Sequence, residues 1–332
     1  MLKRFLLILI SLSVILAAAA CHRVTPQDLQ TQMKSANPQW DGDFFAGYYA
    51  SHTPVFEFTD GPSVNAVALT GSGILNFKPL KDVRLRIFCL RNSNLKSLSF
   101  LPELNWEPEV VIELLSCKDL TDLSALKTLP LTIASISNTP FADTALLGNK
   151  LESVYLDKTD VKQLNFTNPA IIRELLLIQK TGTPDADLKQ INRMKHLASL
   201  VLQNRQRLDD IDFSNLAYLE SLALTHINHV RLSPFSAGII GNLYLENCKD
   251  VVIGKALNNR VIDRFSLVNC GDPAKILNEL SNTKINLLVI SNAHVSDISF
   301  LKRIKDLKCV HFQNCTGLPQ NIDLPFVEVI VK

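Results

Sequence analysis

The feature that most constrains the fold is a repeat of about 22 residues, which begins near residue 64 and runs almost to the end of the chain. Aligned on one inward position, successive copies lie 21 to 25 residues apart. That position holds Leu69, Leu90, Leu114, Ser135, Leu156, Leu177, Leu202, Leu224, Leu245, Leu267, Ile290 and Phe312. Repetition at this period is typical of solenoids, in which each copy buries its apolar side chains against its neighbours.

Most copies also have apolar residues two and five positions before the aligned one, as in Leu219, Leu222 and Leu224. Alternate side chains of a strand share a face. The aligned residue and the one two positions before it therefore enter a core, and the residue between them faces outward. The pattern predicts about twelve short parallel strands. In the fourth copy Ile133 and Ile136 compete with Ser135 for the inside, so the register there can slip.

Segments LTDLSALKTL (120–129), VSDISFLKRI (295–304) and LKSLSFLPEL (95–104) resemble internalin-like bacterial leucine-rich repeats. The resemblance covers residues 64–318 and implies an α/β solenoid, a curved coil with irregular or short helical returns on its convex side. Thr183 before Pro184, and Asp272 before Pro273, predict two of those helices. The family favours Asn at the ninth position of each copy, which in this chain is mostly another residue.

A second feature precedes the repeats. Lys3 and Arg4 are followed by an apolar run and then by four alanines that end at Cys21, as in the lipobox of bacterial lipoproteins. The run is shorter than the ~20 residues that span a bilayer, so we expect an acylated Cys21 that anchors the chain. An ordinary secretory peptide cut near Ala20 is the alternative.

The interval between this signal and the repeats contains a polar stretch with Pro26 and Pro38, and then a cluster of aromatic residues. A solenoid has open ends that need covering, and the aromatic cluster and FVEVIV (326–331) fit that use. The aromatic residues are Trp40, Phe44, Phe45, Tyr48, Tyr49, Phe56 and Phe58. The sequence thus divides into a signal peptide (1–20), a lipid-anchored tether (21–39), an N-terminal cap (40–63), the repeat domain (64–318) and a C-terminal cap strand (319–332).

The charge argues against nucleic-acid binding, and the cysteine positions favour free thiols. Removal of Lys3 and Arg4 with the signal leaves 32 basic and 32 acidic residues, which gives no electrostatic footprint for nucleic acid. Cys117, Cys248, Cys270 and Cys315 take the ninth position, where a thiol packs as a small hydrophobe. We expect free thiols, with a Cys248–Cys270 disulfide as the alternative; Cys89 and Cys309 fall at outward positions.

The sequence contains no GxSxG, Walker, dinucleotide-binding or HExxH motif. His226 and His229 form an HxxH without a third ligand nearby, which favours a solvated loop over a metal site. We therefore expect no enzyme activity, no cofactor and no metal, and a degenerate enzyme is the alternative.

The outward strand positions are the remaining candidate site. A rigid sheet of twelve strands is too large for a metabolite, and Tyr and Arg are enriched at protein-binding hot spots. We expect a protein partner on the concave face, through Tyr155, Glu174, Leu176, Val201, Tyr244, Arg264 and His311. The alternative is that these are ordinary surface residues with no role in binding.

The combined expectation is a membrane-anchored envelope lipoprotein that acts as a surface interaction or adhesion factor. If the producer is Gram-negative, His22 after the lipidated cysteine favours the outer membrane under the sorting rule of that family. Two alternatives are a periplasm-facing immunity or inhibitor lipoprotein and a structural envelope component. The step from fold to binding is an analogy.

Overall fold

Short strands recur at the repeat interval along the chain. The computed structural model describes residues 24–48 and 64–332, apart from positions 210, 217, 279 and 281. The predicted signal peptide, Cys21 and the aromatic residues Tyr49, Phe56 and Phe58 therefore lie outside the described residues. The chain forms two units, Met1–Leu151 and Glu152–Lys332. In the described residues, no helix is long and apolar enough to cross a membrane.

The described part of the first unit contains a helix followed by a sheet. Its elements are α1 (Pro26–Ala36), β1 (Phe44–Gly47), β2 (Ala66–Thr70), β3 (Arg84–Arg91), β4 (Asn105–Leu115) and β5 (Leu131–Ser137). Strand β1 is antiparallel to β2, and β2 to β5 pair in parallel and in chain order.

The second unit has the same parallel arrangement. Its strands are β6 (Ser153–Thr159), β7 (Glu174–Gln179), β8 (Ser199–Leu208), β9 (Leu219–Arg231), β10 (Ile239–Glu246), β11 (Asp250–Val252), β12 (Val261–Val268), β13 (Lys284–Ser291), β14 (Cys309–Gln313) and β15 (Glu328–Val331). They pair in chain order, except that β11 pairs with β9 and β10 pairs directly with β12. Each unit is a strand-rich coil of the leucine-rich-repeat type, as the sequence predicts.

The inward positions stack as the repeat predicts. In the second unit one row of paired residues is 0 to 2 % exposed. Its members are Leu156, Leu177, Leu202, Leu224, Leu245, Leu267, Ile290 and Phe312. Leu69, Leu90 and Leu114 form the corresponding row of the first unit. A continuous apolar row is the core that holds successive turns together.

The fourth copy corrects the prediction by one residue. Ile136, and not Ser135, is paired with Leu114 and is fully buried. Ser135 lies opposite Glu113 on the outward face. The register shifts within β4 and β5, and a shift of one residue exchanges the two faces of a strand. The larger apolar side chain therefore occupies the core.

Nearly every copy of the repeat has the same backbone turn after its inward residue. The second residue after the inward position has a left-handed backbone, with φ between 47° and 61° in ten of the twelve copies. Gly71 takes this position in the first copy, at φ 85°, and only the Leu177 copy lacks the turn among the described residues. Asn tolerates this conformation better than most residues, which explains its recurrence at the strand ends. The ten residues are Asn92, Ser116, Asn138, Lys158, Asn204, His226, Asn247, Asn269, Asn292 and Asn314.

The next residue turns inward, and this position holds Cys117, Cys248, Cys270 and Cys315. Cys117 donates its thiol to the Leu90 carbonyl at 3.4 Å, and Cys248 donates to that of Leu224 at 3.5 Å. The thiols are free. A hydrogen bond with Cys270 and burial raise the pKa of Cys248. These thiols bond one turn to the preceding one, at the ninth position, where the family that the sequence resembles favours Asn.

The returns are mainly single 3₁₀ turns. They span Lys78–Leu80, Leu101–Glu103, Ser124–Thr128, Thr144–Leu147, Pro169–Ile171, Lys189–Arg193, Phe213–Asn215, Gly254–Leu257 and Ser299–Arg303. An aspartate precedes several of them and accepts an N–H two residues on, as Asp122 does from Ser124 at 3.1 Å and Asp297 from Ser299 at 2.7 Å. These short Asx turns start the return without a full helix.

Of the two predicted helices, only one forms. Helix α2 (Pro273–Leu277) begins after Asp272, whose carboxylate accepts from the Ala274 N–H at 2.9 Å. No helix begins at Pro184. Instead the Asp185 carboxylate accepts from the N–H groups of Gln206 and Arg207, at 2.8 and 2.7 Å. Asp185 thus bonds the segment to the neighbouring strand, and the predicted cap, Thr183, donates its hydroxyl to the Lys180 carbonyl at 2.8 Å.

Part of the predicted tether is also structured. Thr25 and Asp28 form a capping box at the start of α1, and Leu29 and Met33 on this helix are fully buried. Asn37, which follows the helix, is 3 % exposed. Its amide donates to the carbonyls of Met33 and Asn76, at 3.0 and 2.9 Å. Residues 26–37 are therefore packed on the first unit and do not form a free linker.

Candidate functional site

The outward side chains of the second unit lie in rows that follow from the strand register. The middle row contains Tyr155, Leu176, Val201, Ala223, Tyr244, Ser266, Val289, His311 and Ile330. A parallel row nearer the strand starts contains Ser153, Glu174, Ser199, Ser221, Asn242, Arg264, Leu287, Cys309 and Glu328. We call these two rows the outward face.

All seven predicted contact residues lie on this face. Tyr155, Leu176, Val201, Tyr244 and His311 belong to the middle row, and Glu174 and Arg264 to the other. Leu176 and Val201 are direct neighbours. Since adjacent strands are about 4.8 Å apart, the two tyrosines are roughly 19 Å apart across four strand steps. The face thus has two aromatic positions with an apolar pair beside the first.

Tyr155 is fixed by the neighbouring strand. Its phenol donates a hydrogen bond to the Glu174 carboxylate. Burial, together with that carboxylate, raises the pKa of Tyr155. The hydroxyl is therefore a neutral donor at neutral pH, and the ring is oriented before any partner arrives.

Tyr244 is held in a similar way, but within its own strand. Its phenol donates to the Glu246 carboxylate at 2.9 Å, and burial followed by this bond raises the pKa of Tyr244. Nearby, the Arg264 Nε donates to the Ser266 hydroxyl at 3.3 Å. In the described part of the chain no carboxylate lies within ion-pair distance of Arg264, which is exposed. Its guanidinium has donors available for a partner.

Small residues between the large ones form the floor of the face. Ala223, Ser266 and Val289 point outward but are 5, 2 and 3 % exposed. The Thr225 hydroxyl, on the same side of β9, is buried and has no hydrogen-bond partner among the described residues. The sequence analysis selected large side chains and missed this floor, although the same alternation marks its positions. The outward face is therefore recessed where small side chains lie beside larger ones.

The outward face of the first unit is different. Ala66, Ala68, Ile87, Cys89 and Val111 are 0 to 5 % exposed and form one apolar cluster. Phe45 and Ile133 pack against this cluster. Burial raises the pKa of the Cys89 thiol. Because these outward side chains are already buried, the half-exposed contact residues are those of the second unit.

The HxxH motif places its two histidines in separate contacts. His226 forms a strand-end turn, and its Nε2 lies 3.1 Å from the Asn247 amide. His229 Nδ1 lies 3.3 Å from the Asp250 carboxylate. His229 also lines an open groove of about 250 Å³ beside β11. The groove is lined by Arg207, Asp209, His229, Val230, Arg231, Asp250 and Val252. It contains two basic and two acidic side chains besides His229, so its charge is nearly balanced.

Comparison with known proteins adds little to what the strand register shows. No family model and no curated protein matches the chain. The structure of a leucine-rich-repeat protein of Leptospira interrogans is similar over 80% of this chain and 89% of that chain, with 15% sequence identity and a TM-score of 0.39. At that TM-score the likeness adds no support, and the fold assignment rests on the strand register itself.

Proposed function

We propose that this chain is a lipid-anchored envelope protein, with no catalytic role, that binds another protein through the outward face of its second unit. The observation that carries the proposal is the row of Tyr155, Leu176, Val201 and Tyr244 on paired strands, beside an Arg264 that has no carboxylate partner in the described part of the chain. Tyr and Arg are the residue types that most often dominate binding energy.

The dimensions of the face favour a macromolecule. Nine residues in the middle row correspond to eight strand steps, or roughly 38 Å. A surface of this length is much larger than a metabolite pocket, and its backbone is fixed by the sheet on every strand. A preformed surface loses little conformational entropy on binding. A protein surface matches both the length and the rigidity.

The side chains also indicate what such a partner presents. Leu176 and Val201 are half-buried, so an apolar side chain placed on them would complete their burial. Arg264 offers a guanidinium to a carboxylate, which it binds in a planar, bidentate geometry. We therefore expect an apolar group and an acidic group on the partner, roughly four strand steps apart.

The anchor is proposed from Cys21 and from the position of α1. Only four residues separate Cys21 from Pro26, where the helix begins. Since an extended chain spans at most about 3.6 Å per residue, an acyl chain on Cys21 would hold the start of α1 within roughly 18 Å of the bilayer surface. In a Gram-negative producer, His22 favours the outer membrane, and a surface-exposed interaction factor is the use we propose.

Changes on the outward face are expected to weaken binding without unfolding. A photoreactive amino acid at Val201 should capture the partner on intact cells, whereas the same group at Tyr218, an exposed position ahead of β9, should not. With that partner purified, at least one of Tyr155→Ala, Leu176→Ala and Tyr244→Ala should lower the affinity about fivefold or more. Titration by calorimetry measures this effect.

Tyr218→Ala is the matched control, because it removes an exposed tyrosine outside the face. The circular dichroism melts of all four variants should nearly coincide. Normal binding by the three face variants, with loss of binding in Lys189→Glu on a 3₁₀ return, would contradict the assignment to the outward face. Protease digestion of intact cells separates a surface protein, which is cut, from a periplasm-facing one, which is protected.

Cys21→Ser is expected to abolish lipid labelling, because the thiol is the proposed acylation site. Cells grown with a labelled fatty acid should incorporate it into the wild-type chain, which sediments with membranes. The variant should be unlabelled and either unprocessed or soluble. Cys89→Ser is the control, since Cys89 is buried in the first unit. Equal labelling of Cys21→Ser and wild type would refute the anchor.

A further inference from the structure

The last strand of the second unit presents an open edge. Strand β15 pairs with β14 on one side, and no strand lies along its other side in the described residues. An edge strand exposes backbone N–H and C=O groups that can pair with another chain. Proteins commonly cover such an edge or place charges on it.

The hydrogen bonds to β14 determine which groups point away from the unit. The N–H groups of Glu328 and Lys332 donate to the carbonyls of Lys308 and Phe312, both at 2.9 Å. Because backbone groups alternate along a strand, those of Val329 and Val331 point to the open edge. The side chains of Glu328, Ile330 and Lys332 then share the outward face, and those of the two valines face the core.

The core is also incompletely covered at this end. Val331 is paired with Phe312, the last member of the buried inward row, yet it is 58 % exposed. The preceding members of that row are 0 to 2 % exposed. Terminal turns of repeat proteins usually carry a polar outer surface. An exposed core valine beside an unpaired backbone edge therefore marks a surface that is complementary to another apolar strand.

We propose that this edge pairs with β15 of a second copy of the chain, in antiparallel orientation, about a two-fold axis through Ile330. In this register Val329 and Val331 face Val331 and Val329 of the second copy, and each pair exchanges two N–H···O bonds. The groups that point to the open edge are the ones that pair. The apolar side chains of both copies meet on the core side.

The charges of Glu328 and Lys332 favour a second copy of β15 as the partner and favour this register. With the axis at Ile330, Glu328 lies opposite Lys332 of the second copy, and Lys332 lies opposite the second Glu328. Opposite charges in directly facing positions stabilise antiparallel pairs. Shifting the axis to Val329 would place Glu328 opposite Ile330 and Lys332 opposite Phe326. The sequence of β15 is thus self-complementary in charge in one register that the backbone also allows.

The first test measures the oligomeric state of the full chain in mild detergent by light scattering. At about 100 μM, above the micromolar dissociation constants of small interfaces, we expect a dimer. Val331→Pro should yield a monomer with an unchanged circular dichroism spectrum, since the N–H it removes faces the open edge. A monomeric wild type would overturn the proposal, as would a dimer that persists in Val331→Pro, the result expected for association through the N-terminal apolar run.

The second test addresses the register. Glu328→Lys and Lys332→Glu should each lower the association constant about fivefold or more, and the double swap should restore it.

Ile330→Cys should form a disulfide-linked dimer, because the facing Cα atoms are about 4.5 Å apart in such a pair. Phe326→Cys is the control: Phe326 is fully exposed but lies roughly 26 Å from its counterpart in this register. Equal cross-linking of both variants, or no rescue by the double swap, would overturn the register. If the edge of β15 pairs with a different protein, the purified chain will be monomeric, and that result would also overturn the proposal.

Discussion

Leu224→Ala is expected to lower the free energy of unfolding by about 2 to 5 kcal/mol. Leu224 is fully buried and lies in register between Leu202 and Leu245. Truncation removes apolar contacts with both neighbouring turns and leaves a cavity that the sheet, fixed by its hydrogen bonds, closes only in part. Urea denaturation followed by circular dichroism measures the change.

Leu176→Ala is the matched control for this prediction. It removes the same atoms from β7, two strands away from β9, but Leu176 is only half-buried on the outward face, so its truncation leaves no enclosed cavity. We expect a loss of about 1 kcal/mol or less at Leu176. Similar losses at both positions would mean that the assignment of inward and outward faces is wrong.

Arg205→Met is expected to destabilise the second unit by about 3 kcal/mol or more. The Arg205 side chain is buried, with the residue 3 % exposed, in the inward-turned position that follows Asn204 within β8. Its guanidinium donates to the Gln179 side-chain oxygen at 2.9 Å and to the Ala186 carbonyl at 3.1 Å. Methionine fills similar volume but leaves these buried acceptors without their donors. Urea denaturation midpoints again provide the measurement.

Arg207→Met is the control for Arg205. The Arg207 side chain is 67% exposed and pairs with Asp209, so its loss should change stability by less than about 1 kcal/mol. Replacing a buried charge with an apolar residue is neutral or stabilising in some proteins. A stable Arg205→Met variant would therefore show that the bonds from Arg205 do not hold the 179–186 segment against β8.

The sequence by itself determined the repeat and the inward row. An apolar residue at a fixed interval, as at Leu202, Leu224 and Leu245, has to be buried against its counterparts for a chain of this kind to fold, so the period alone identifies the core. The recurrent Asn at the strand ends was equally readable, because few other residues accept the left-handed backbone found there. The outward positions of the candidate site follow from the same alternation.

Tertiary structure decided where local patterns compete. Ser135 and Ile136 are both compatible with a strand, and the register of β4 selected Ile136 for the core. Thr183 and Pro184 form a good helix start, but Asp185 bonds the segment to β8. In both places the local preference is small, and contacts with a neighbouring turn outweigh it.

Tertiary structure also decided which outward residues are available. Cys89 and Val201 both occupy outward strand positions, yet Cys89 is 4 % exposed in an apolar cluster and Val201 is half-exposed. Alternation specifies only the side of the sheet to which a residue points, because it is a property of one strand. Exposure depends on the size of the residues on the strands to either side and on what packs above them, and that information is distributed over distant parts of the chain.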